Sequence, residues 1–142
     1  LTRGKLAESA IAAWLVRRGF SVLPAYWVEA KSKAAFTWHR NSESYQGGID
    51  KHHWLDYLKL AHAGPWPVWL LFLHAPGTVA KDNPPGMIPP VGLFGNEVLK
   101  LEKVIHHDSD RHGPRGMVYW IVNSLMPKGR PLADWTDFAK PY

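Results

Sequence analysis

Tyr26-Trp27-Val28-Glu29-Ala30-Lys31 sets two opposite charges two residues apart inside an apolar run bounded by Pro24. In an extended strand the side chains alternate between faces, so Trp27, Glu29 and Lys31 share one face while Val28 and Ala30 take the other. Glu29 and Lys31 would then project side by side, about 6 to 7 Å apart along the strand. Hydrolysing a phosphodiester with a hard dication needs carboxylate and carbonyl oxygens, plus a cation to steady the attacking water or the phosphate. Glu29, the carbonyl of Ala30 and the Lys31 ammonium supply these parts. The plainer alternative is an exposed ion pair worth at most about 1 kcal/mol.

Upstream, Thr2 to Arg18 reads as a helix with Ala7, Ile11, Trp14 and Leu15 on one face and Gly19 just past its end. Glu8 falls at the edge of that face: Ile11, Ala12 and Leu15 follow it at i+3, i+4 and i+7. This carboxylate is expected to lie along the buried side. Phe20 to Leu23 forms a short strand that Pro24 stops.

Downstream, Ala35 to Ile49, with Asn41, Ser42 and the Gly47-Gly48 pair, suggests a hairpin or ordered loop. Asp50 is expected to cap a helix running to Ala63, with Trp54, Leu55, Leu58 and Ala61 as its apolar stripe and Gly64 closing it. Val68 to Leu73 is an unbroken apolar run between prolines and His74, the pattern of a central strand covered on both faces. The proline-rich stretch 75–90 is read as a loop. A helix over Asn96 to Ile105, a polar turn over His106 to Gly116 and a strand over Met117 to Val122 follow. The tail after Pro127 is expected to pack back through Leu132, Trp135 and Phe138.

The 142 residues fit one domain. Cysteine is absent, which excludes disulfides, thiolate zinc sites and cysteine nucleophiles, so any metal must take carboxylate, imidazole or backbone oxygen. No apolar run approaches the roughly 20 residues of a membrane span, so a soluble, cytoplasmic protein without membrane contact is expected. The net charge of +5 favours a polyanionic partner. The eight tryptophans serve a core first, though indole faces also stack on bases.

A helix bearing Glu8, a strand, Glu29-Ala30-Lys31, a helix and an apolar strand together resemble the PD-(D/E)XK nuclease superfamily, nearest to its Holliday-junction-resolvase-like branch. The likeness covers roughly Gly4 to His74 and implies a three-layer α/β, restriction-endonuclease-like domain with a small mixed central sheet flanked by helices. It implies a nuclease using Mg2+ or Mn2+ to cut DNA. Glu29 and Glu8 would be metal ligands with the Ala30 carbonyl, Lys31 the catalytic lysine, and a symmetric homodimer the working form. The family pattern also wants an Asp on a strand shortly before E-x-K, and nothing between Glu8 and Glu29 is acidic. The stretch between the first two strands is too short for the strand that normally bears it. Because the sequence starts at Leu1 rather than Met, an additional segment near Pro24 to Trp27 is the expectation, and an intact mass matching 142 residues would sink it. Without that segment, the chain reads as a nuclease-like relic that binds without cutting.

Lys33, Arg40 and Lys51 follow the motif and are candidate phosphate contacts, as are His52 and His53 in the first turn of the second helix. Solvated surface positions are the alternative for each. His106, His107, Asp108, Asp110 and His112 form the densest set of metal-ligand types, but Gly113, Pro114 and Gly116 around them favour a polar surface loop. Ser9 and Ser124 lack a nucleophile's setting, and no glycine-rich phosphate loop is present. Two rivals stand beside the nuclease: an inactive nucleic-acid-binding module and a structural protein of a phage or mobile element.

Overall fold

The computed structural model describes residues 10–15, 27–33, 36–77, 79–110 and 115–139, with the backbone alone for 27–33. Residues 10–15 are helical (α1). Strand β1 (Trp27–Lys33) is followed by β2 (Thr37–His39), β3 (Ser44–Asp50), α2 (Lys51–Ala63) and β4 (Val68–His74). Then come β5 (Gly92–Glu97), α3 (Val98–Glu102), β6 (His107–Ser109), β7 (Met117–Ile121), a 3₁₀ turn (Val122–Leu125) and α4 (Thr136–Ala139). The strands make two sheets, a mixed one ordered β1-β4-β5 and an antiparallel one ordered β2-β3-β7-β6. The chain is thus mixed α/β, as its pattern predicts. The single small sheet expected from the sequence is corrected to two.

Strand β4 is central in its sheet, parallel to β1 and antiparallel to β5. Its continuous apolar run follows from burial on both sides. Val68, Leu70 and Phe72 join Trp54, Phe94, Val98, Leu101 and Trp120 in the larger core. Leu71 and Leu73 meet Ile11 of α1, Leu93 and Ala133 on the other face. Leu132, Trp135 and Phe138 pack against this second cluster, so the tail does fold back as expected. A main-chain bridge between Leu93 and Ala133 ties it to β5.

Several expectations shift by a few residues. The hairpin over 35–49 is present and turns at 40–43, through Asn41 and Ser42, where Glu43 takes a left-handed φ of 49°. Gly47 and Gly48 sit within β3 instead. A Cβ at Gly48 would lie 2.5 Å from the Tyr119 ring and 2.9 Å from the Val118 carbonyl oxygen, so glycine there lets β7 close onto β3. Strand β5 was not predicted, and the helix expected over Asn96 to Ile105 shrinks to Val98–Glu102 because Asn96 and Glu97 belong to that strand. The polar turn contains β6, paired with β7. On α2, Trp54 and Ala61 are buried, but Leu55 is 48% exposed and is no part of the stripe. The helix ends as predicted, with the Gly64 N–H donating to the Leu60 carbonyl at 3.1 Å. The 75–90 stretch is irregular and is held by Asn83, which accepts from the Tyr45 hydroxyl at 2.8 Å and donates to the Met87 carbonyl at 2.8 Å. The predicted strand Phe20 to Leu23 lies outside the described residues.

Candidate functional site

Glu29, Ala30 and Lys31 occupy the middle of β1, at the register of Leu70, Leu71 and Phe72 of β4. Lys33 is opposite His74 at the carboxyl end of the pair. β1 is therefore a strand, as the sequence predicts for this segment. Glu8 lies outside the described residues, as does His112. Between β1 and β4 the chain passes through the β2–β3 hairpin and α2. Helix α2 ends four residues before Val68, and its first turn is joined to the second sheet, where the Lys51 N–H donates to the Gly116 carbonyl at 3.0 Å.

The first turn of α2 brings Asp50, proposed from the sequence as a helix cap, together with His52 and His53, proposed as phosphate contacts. Ligand atoms of Asp50, His52 and His53 all lie within 4.8 Å of one another. The two imidazole rings are in contact at 4.0 Å between centroids, and His53 stacks toward Tyr57 at 6.3 Å. Asp50 takes the N-cap position as predicted, but its carboxylate makes no capping hydrogen bond. His52 Nδ1 is buried without a hydrogen-bond partner. Lys51, between Asp50 and His52 in sequence, is drawn to β6 and the bend after it. Its Nζ reaches Asp108 at 2.9 Å and Asp110 at 3.2 Å, and these carboxylates push its pKa up. Arg40, in the β2–β3 turn, is exposed.

A second cluster joins His39 and Ser42 to His106, which is 67 and 64 residues away in sequence, so sequence reasoning singled out His106 and His107 without their partners. His39, at the end of β2, meets His106 with ring nitrogens 3.3 Å apart and centroids at 4.8 Å in a T-shaped contact. The Ser42 hydroxyl lies 2.7 Å from His39 Nδ1, 3.2 Å from His106 Nε2 and 2.6 Å from the Ser44 hydroxyl. The Ser42 N–H donates to His39 Nδ1 at 3.2 Å, which fixes that nitrogen as an acceptor. His107 packs near His39 and against Tyr119. Burial, then the nearby charges of His39 and His107, hold the pKa of His106 below the ordinary imidazole value. His106 and His107 are thus half-buried parts of an ordered network on the second sheet, while Asp108 and Asp110 serve Lys51.

No helix among the described residues is long and apolar enough to cross a membrane. Comparison of the chain with protein-family models, with curated proteins and with solved structures gives no match. What the fold and the site define is a mixed α/β chain with a strand carrying Glu29 and Lys31 parallel to its central strand, a histidine cluster on the second sheet and another at the start of α2.

Proposed function

We propose that the chain is a metal-dependent nuclease of the PD-(D/E)XK type, hydrolysing phosphodiester bonds of DNA on a three-layer, restriction-endonuclease-like scaffold. The observation that carries this reading is the pairing of the Glu29-Ala30-Lys31 strand, in parallel, with a central apolar strand reached through a helix. Glu29, Glu8 and the Ala30 carbonyl are all hard oxygen donors, so the donor set suits Mg2+ or Mn2+ and these residues would hold it. A bound metal supplies Lewis acidity and a lowered pKa for bound water. Lys31 steadies the charge that grows on the phosphate during in-line attack. Lys33, Arg40, His52 and His53 would contact the DNA backbone. Lys51 would contribute less, because Asp108 and Asp110 already neutralise it. By the same resemblance the working form is a homodimer.

One observation favours a second reading: no acidic residue lies between Glu8 and Glu29, so the family's aspartate is lacking from the sequence. On that reading the same surface binds nucleic acid without cutting it. Incubating plasmid, linear and branched DNA with the protein and Mg2+ or Mn2+ separates the two. Cleavage supports the nuclease, whereas salt-sensitive binding with intact DNA under both metals supports the binding module.

A further inference from the structure

We propose that Asp50, His52 and His53 form a binding site for a transition-metal dication of the zinc class, separate from the oxygen-donor set on β1. Three observations converge on it. The ligand atoms of the three residues lie within 4.8 Å of one another, which brings them around a common point. In a tetrahedral zinc site with bonds near 2.0 to 2.1 Å, neighbouring ligand atoms lie about 3.3 Å apart, so small side-chain rotations close the set. His52 Nδ1 is a buried nitrogen with no hydrogen-bond partner, a condition that a buried polar group ordinarily avoids. The Asp50 carboxylate holds the N-cap position yet accepts no capping bond from the helix N–H groups, which leaves its oxygens for another use.

The cation next to these ligands in sequence does not compete for the site. Lys51, the one residue between Asp50 and His52, sends its ammonium to Asp108 and Asp110 instead. Two imidazoles and one carboxylate are donors that suit zinc, cobalt or nickel and disfavour magnesium, which takes oxygen ligands and water. This separates the site by chemistry from the donors of β1. Three protein ligands leave a fourth position for water or a substrate oxygen, as in zinc sites that act on substrates. All three ligands come from the β3–α2 junction, so a bound ion clamps the start of α2 to the end of β3. Neither Glu29 nor Lys31 takes part in the site, so it does not rest on the metal strand of the nuclease reading; with the ion bound, His52 and His53 serve it in place of the DNA backbone.

The test is calorimetric titration of the metal-stripped full chain with zinc chloride, with cobalt(II) absorption as a second readout and circular dichroism to check folding. We expect one ion per chain. His52→Ala and His53→Ala should each weaken binding at least as much as loss of an outer-shell partner does, roughly 10 to 100-fold. The double variant His39→Ala/His106→Ala should bind as the wild type does. Failure of the wild-type chain to bind zinc would overturn the proposal. So would binding that survives in folded His52→Ala and His53→Ala proteins, or that disappears with His39 and His106. Loss of DNA cleavage in Glu29→Ala with zinc binding intact would bear on the β1 reading alone.

Discussion

At the scale of single residues, His106 carries the clearest consequence. Its folded pKa lies below the ordinary value because burial and two neighbouring histidines oppose its charge. The unfolded chain therefore binds the proton more readily than the folded one in the window below about pH 6.5. Stability should be constant above that window and fall as pH drops through it. Thermal unfolding followed from pH 8 to pH 5 should show this decline, and His106→Asn should lessen it. Gly95 makes a second case, since a Cβ there would lie 2.3 Å from the Leu70 carbonyl oxygen and 3.0 Å from Leu71 Cα. Gly95→Ala must push β5 off β4, and chemical denaturation should register a loss of roughly 1 to 3 kcal/mol or more. Neither residue announced itself in the sequence. His106 was one of several ligand types in a polar run, and its partner His39 is reached only when the second sheet forms. Gly95 reads as a strand breaker until the strand it serves is known.

At the scale of elements, local pattern was informative wherever it ran long enough to repeat. The six apolar residues of β4 could satisfy only a strand buried on both faces, and Gly64 with Pro65 could only end α2. The reading failed where elements are short. Strand β6 has three residues, and β5 carries two glycines among six, so neither offers a usable alternation. Helix α2 shows the same limit within one element, because 3.6 periodicity assigned Leu55 to the apolar stripe next to Trp54. The two should now differ sharply on substitution. Trp54, 2% exposed and edge-on to Trp120 at 4.8 Å, should cost about 3 to 5 kcal/mol as Trp54→Ala. Leu55→Ala should stay within about 0.5 kcal/mol, since half of the side chain already faces water. Equal losses in the two variants would contradict this account of which face α2 buries.

For the whole molecule, the order helix, charged strand, helix, central strand organises the proposed function, and the second sheet adds what the pattern did not foresee. The E-x-K spacing was legible because a strand has a period of two, which fixes facing from spacing alone. The α2 cluster was legible only in part: its residues were flagged, but their convergence depends on how the helix starts. With a net charge of +5, DNA affinity should fall steadily with added salt, and a flat salt response would argue for a protein partner instead. The most direct test of the central claim compares the full-length wild type with Glu29→Ala and Lys31→Ala on supercoiled plasmid in magnesium. The account predicts that the wild type nicks or linearises the plasmid while both variants bind it and leave it intact. Cleavage by Glu29→Ala at the wild-type rate would contradict it.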